Sequence, residues 1–179
     1  MAKLSKATYV KDGYGQVEPN HLSAQRNGQI YAQLAAKSDI TVLENGQFVK
    51  YDYANKEVNF TGEGDWMLVY NEVKVYKDFE TNKDYAMTKE NQVRGIMVPR
   101  VFATHVGDIM TTNCIKATEV EEGDYLVIGA DGYLASAESA ADKDTWQVAQ
   151  VYTMPDGQPG VKIIRINYNK VTLYYLLTT

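Results

Sequence analysis

The chain predicts a mainly β protein, a compact β-barrel or β-sandwich domain behind an extended N-terminal arm. Three observations lead there: short runs rich in Val, Ile, Tyr and Thr recur along it, Gly-Asp and Asp-Gly pairs separate them, and no convincing helical stripe is sustained. A chain of 179 residues with 45% hydrophobic content can bury roughly 70% of its unfolded surface. Staples are not expected to help. The single cysteine, Cys114, has no intrachain partner, and no Cys/His cluster shows zinc-ligand spacing. Packing or assembly must then hold the fold.

Residues 1–36 read as the arm. Gly13, Gly15, Pro19 and Gly28 interrupt regular structure, and Ile30 and Leu34 share a helical face too short to stand alone. Fully extended, such an arm reaches on the order of 110 Å, enough to cross a neighbouring subunit. The β-rich domain follows over 37–179. In ITVLENGQFVKYDY two strand-like runs flank Asn45-Gly46, the dipeptide that favours a tight hairpin turn. EVNF (57–60), the turn TGEGD and WMLVYNEVKVYK (66–77) continue the β pattern. The polar segment 78–92 reads as a long connection or short helix, and a division of the domain is placed near 78–94.

GIMVPRVFATHV (95–106) is strand-like, and Pro99, unable to donate to a ladder, puts it at an edge or a bulge. IMTTNCI, DYLVIG and YLASA follow, with a turn at Ala130-Asp131-Gly132. WQVAQVYT and GVKIIRIN are joined by MPDGQPG. SAESAADKDTW (136–146) suits a short helix or a loop, and the apolar tail VTLYYLLTT wants a partner strand or a neighbour. ENGQFVKYD (44–52) and ADGYLASAE (130–138) echo each other as a turn glycine before a strand, which two independent hairpins also explain.

A formal net charge of -5 argues against coating nucleic acid, which needs clustered Lys and Arg to displace counterions. No apolar signal-peptide core and no run of eighteen apolar residues is present, so no membrane span and a cytoplasm-like compartment are expected. Fourteen tyrosines against four phenylalanines suit strands and surfaces buried on assembly.

Cys114, nine residues after His105, raises the possibility of a nucleophile and its base, but it lies in strand-like sequence without an elbow or helix N-terminus to form an oxyanion hole. The expectation is a buried space-filling thiol and no enzyme. Glu119, Glu121, Glu122 and Asp124, or Asp142 and Asp144, offer oxygen ligands without EF-hand order, and no metal or cofactor is expected. GEGDW lacks phosphate-loop spacing and reads as a turn. Trp66, Trp146 and exposed tyrosines are either core residues or a stacking platform for carbohydrate.

GDIMTTNCI (107–115) and VEEGDYLVIGADGYLASA (120–137) resemble the strand–turn–strand segment of tailed-bacteriophage head-decoration, or capsid-cement, proteins. ENGQFVKYDYANKEV (44–58) and VEPNHLSAQRNGQIYAQL (17–34) resemble their N-terminal parts, so the likeness touches most of 17–137 through short motifs. Cys114 departs from the pattern. The resemblance implies a non-enzymatic virion protein on the outer capsid face that bridges major capsid subunits, with further copies of itself as a second class of partner. Such a protein resides in the host cytoplasm during assembly. Contact with a capsid or sister subunit is assigned to Pro19, Asn20, Leu22, Arg26, Ile30 and Tyr31. Deleting residues 1–30 is then expected to abolish particle binding and to leave a folded β-domain. The competing expectation is a tail or fibre β-sandwich that binds host carbohydrate.

Overall fold

The computed structural model describes residues 9–22, 33–71, 85–140 and 143–167. Thirteen strands occur among them: β1 (Val17–His21), β2 (Ala35–Ala36), β3 (Val42–Glu44), β4 (Phe48–Asp52), β5 (Glu57–Asn59), β6 (Trp66–Val69), β7 (Ala86–Thr88), β8 (Val101–Ala103), β9 (Ile109–Thr112), β10 (Tyr125–Ile128), β11 (Leu134–Ala137), β12 (Trp146–Thr153) and β13 (Pro159–Arg165). They form a six-stranded sheet in the order β1-β9-β13-β12-β10-β11, a five-stranded sheet in the order β2-β5-β4-β6-β8, and the pair β3-β7. The sheets stay open at their edges, so the architecture is a layered β-sandwich and not a closed barrel.

Strand alternation assigns the two faces of the five-stranded sheet. Phe48 and Leu68 point to one side and share a core with Met110, Leu126, Leu134, Trp146 and Ile163 of the larger sheet. The Phe48 and Trp146 rings meet in a tilted contact at 6.1 Å. Val49, Tyr51, Met67 and Val69 point to the other side, where they pack with Leu43 and Met87 of the β3-β7 pair. The middle sheet is thus buried on both faces, which explains the near-continuous apolar run Trp66–Val69.

Residues 9–22 depart from the expected arm. β1 pairs antiparallel with β9, and Val10, Val17 and Leu22 are buried. The cause is legible in hydrogen bonds: Thr112 Oγ1 donates to Gln16 O at 2.7 Å and Thr111 Oγ1 to Asn20 Oδ1 at 2.7 Å. Without this segment two buried threonine hydroxyls would lose their acceptors. Pro19 is tolerated because β1 is an edge strand and its register with β9 is irregular between Glu18 and His21. Gln158 Oε1 ties the start of the segment down by accepting from Lys11 N at 2.7 Å and Asp12 N at 2.9 Å.

The Asn45-Gly46 turn exists, but it makes no hairpin. β3 pairs with β7, whereas β4 pairs with β5 and β6. Gly46 alone has positive φ, at 96°, and Gln47 N donates to Glu44 O at 3.2 Å, which is the type II pattern. A two-residue hairpin needs the primed turns instead. The corner passes the chain from one layer to the next and is itself buried. The hairpin in this region is β4-β5, across Tyr53–Lys56. The hairpins β10-β11 at Ala130-Asp131-Gly132 and β12-β13 at MPDGQPG form as expected. Pro99 lies two residues before the edge strand β8. No helix appears in the described part of 136–146. Residues 72–84, which carry the first part of the expected division, and the tail 168–179 lie outside the described residues, and the rest of that division holds β7.

Candidate functional site

Cys114 is wholly buried. Its thiol donates to Asn45 O at 3.1 Å, and burial, reinforced by the Glu44 carboxylate, pushes its pKa well above the ordinary 9.0. Gly15 covers it: a Cβ at that position would collide with Cys114 Sγ and Glu44 Oε2, and Gly15 N donates to Glu44 Oε2 at 2.8 Å. Tyr133, buried in the same cluster, is also driven upward, by desolvation first and the Glu44 charge next. His105 stands elsewhere, exposed, its N–H donating to Asp108 Oδ2 at 2.8 Å in the turn that ends at Gly107-Asp108. The arrangement keeps the thiol protonated and separates it from the imidazole. That is the opposite of what a thiolate nucleophile requires.

The surface feature with recognisable binding chemistry is a cleft of about 430 Å³ where β4, β8 and β13 end and β6 begins. Tyr53, 63% exposed, leans on the buried Tyr51 ring at 5.3 Å and 22°. This stacking holds an exposed aromatic ring in place without burying it. Trp66, half-buried, has the Lys50 ammonium 4.8 Å from its ring centroid. Asp65 pairs with Lys143, and the hydrogen bond from that ammonium holds the Asp65 carboxyl below the usual carboxylate range.

The floor is braced by Arg165, whose guanidinium reaches Asp144 Oδ1 at 2.6 Å and Thr104 Oγ1 at 2.7 Å. The bond joins the end of β13 to the residue after β8, so one side chain fastens the large sheet to the middle one. A second depression of about 480 Å³ adjoins the first and shares Tyr51, Tyr53 and Gly64 with it. Its far wall carries Asn55 and Asp52, whose carboxylate accepts from Asn55 Nδ2 at 2.8 Å and Asn55 N at 3.0 Å. Those bonds lower the Asp52 pKa. Gly62 and Gly64 let the loop lie against Tyr51 O, 2.6 and 2.8 Å from where their Cβ atoms would be. GEGDW is therefore a close-packed turn, as its spacing indicated.

The residues singled out from the sequence separate sharply. Trp146 is core, whereas Trp66 lines the cleft. Asp144 is engaged by Arg165, and Asp124 accepts from Glu121 N at 2.8 Å in an exposed turn with Glu119 and Glu122. Of the six assigned contact residues, Leu22 is buried in the domain's own core, Pro19 is half-buried, and Asn20 is exposed with its side chain held by Thr111. Leu22 is thus unavailable to a partner in this fold. Arg26, Ile30 and Tyr31 lie outside the described residues, as does Asp142.

Sequence reasoning passed over Tyr51 and Tyr53, although their spacing of two in a strand-like run is the signal that they share a face, and Tyr53 keeps that side one residue beyond the end of β4. It also passed over Gln158, for which no local pattern exists because its partners lie near the other end of the chain. Among the described residues no helix is long and apolar enough to cross a membrane. No protein-family model, curated protein or solved structure matches the chain.

Proposed function

We propose that the chain is a non-enzymatic virion structural protein of a tailed bacteriophage, bound to the outer capsid surface and reinforcing contacts between major capsid subunits. The observation that carries this reading is an apolar ridge on a braced loop. Val93, Ile96 and Val98 are 85%, 54% and 38% exposed, while Met97 between them is buried and accepts a hydrogen bond at its carbonyl from Ala36 N at 2.7 Å. Arg94 and Gly95 both adopt positive φ, 60° and 66°, a conformation that costs Arg94 energy. Apolar side chains held outward by a strained turn suit a protein–protein contact. The burial of the thiol and the resemblance of 107–115 and 120–137 to capsid-cement segments support the same reading, with the ridge in place of Leu22 as the contact.

The test is co-sedimentation of the purified chain with phage heads that lack it. The wild-type chain is expected to pellet with heads, and the Val93→Asp/Ile96→Asp double variant, folded by circular dichroism, to stay in solution. Equal pelleting of both rejects the ridge, and immunogold label on tails rejects the head location. The second reading, a tail or fibre protein that binds carbohydrate, draws on the Trp66 cleft.

A further inference from the structure

We propose that the two adjoining depressions that share Tyr53 form one groove that binds a neutral oligosaccharide, with the free face of the Tyr53 ring as the stacking surface for one of its sugars. This gives a ligand class to the cleft of the second reading, yet it does not depend on where the chain sits in a particle. Four features of the groove support it.

Tyr53 is the first. An exposed ring backed by another ring offers one free π face in a fixed orientation, which is what the CH face of a pyranose needs and what a freely rotating surface tyrosine lacks. The second is the rim: Asp65 and His105 line one depression, Asn55 and Glu63 line the other, and they set donors and acceptors around aromatic surface. Sugars present this same combination of apolar face and hydroxyl edge. The third is size, since each depression lies within the roughly 300–1,000 Å³ typical of small-molecule sites.

Charge is the fourth, and it selects neutral sugars. Lys143 is matched by Asp65 and Arg165 by Asp144, and Asp52 and Glu63 add negative charge to the second depression. A uronate, sialate or nucleotide phosphate would meet acidic groups without a surplus cation. The Lys50–Trp66 contact keeps the remaining nearby ammonium on an aromatic face.

The experiment uses the full-length chain on an array of cello-, manno-, laminari- and N-acetylglucosamine hexasaccharides, with polygalacturonate and heparin as anionic probes, followed by titration calorimetry. At least one neutral hexasaccharide is expected to bind with little salt dependence. Tyr53→Phe should keep that affinity, and Tyr53→Ala should weaken it about tenfold. Tyr53 is mostly exposed, so both variants should melt like the parent. The Val93→Asp/Ile96→Asp variant should bind sugar normally, which separates this groove from the capsid ridge. Binding of none of the neutral probes, salt-sensitive binding of the anionic ones alone, or undiminished binding by Tyr53→Ala would each overturn the assignment.

Discussion

At the scale of single residues, Cys114 shows how a chemically suggestive side chain becomes inert. Its neighbours are a backbone carbonyl, a glycine seal and a buried carboxylate, so iodoacetamide is expected to leave the native protein unmodified and to label it only as denaturant opens the fold. Cys114→Ser keeps a donor for Asn45 O and should cost no more than about 1–2 kcal/mol in urea unfolding. The same cluster sets an alkaline limit. Unfolding would let Cys114 and Tyr133 ionise near their ordinary values of 9.0 and 10.0, whereas the fold raises both. Their contribution to stability is therefore complete below pH 9 and declines as the pH climbs beyond it, because the unfolded chain then releases protons that the folded chain retains. Urea midpoints that stay flat from pH 8 to 10.5 would contradict this account of the cluster.

At the scale of elements, local turn chemistry was readable and pairing was not. Gly132 and Gly157 close hairpins whose two strands are adjacent in sequence, and there the turn residues name the partners. Asn45-Gly46 has the same signature, yet β3 finds β7 and β4 finds β5 and β6. A dipeptide specifies a backbone bend; which strand lies alongside depends on packing from distant sequence. The cleft follows the same logic. Trp66 and Trp146 are one residue type at two depths: both pack against the same core, but Trp66, at the start of β6, is half-buried and also lines the cleft. Gly132 offers a quantitative check on how the two turn regions meet. Phe48 N donates to Gly132 O at 2.8 Å, and a Cβ on Gly132, at φ 80°, would strike the Phe48 carbonyl. Gly132→Ala should cost about 2–3 kcal/mol or more. Gly123→Ala, at φ 97° with nothing within 4 Å, should cost only the left-handed penalty of about 1–2 kcal/mol. Thermal melts of the two variants side by side separate clash from conformation.

For the molecule as a whole, the N-terminal stretch is structural before it is anything else. The sequence showed its glycines and proline and suggested an arm, because no local pattern reveals that Thr111 and Thr112 need hydroxyl acceptors from it. A chain lacking residues 1–22 loses β1, buried Val17 and Leu22, and the cover over Cys114. It should melt well below the parent or fail to fold, in contrast to the folded remnant that a detached arm would leave. A second molecule-wide consequence lies in the buried Asn45-Gly46 corner. Asn-Gly is the pair in which the following amide nitrogen most readily attacks the asparagine carbonyl carbon, expelling ammonia to form a succinimide that opens to aspartate or isoaspartate. Here Gly46 N–H is held by Val69 O at 2.9 Å, and Asn45 Oδ1 accepts from Asn71 N at 2.8 Å, so the reacting atoms are committed for as long as the layers stay together. Isoaspartate at position 45, read by peptide mapping after storage, should accumulate only in proportion to the time each molecule spends open. The corner then serves as a chemical clock that runs when the protein is unfolded and stops when it is whole.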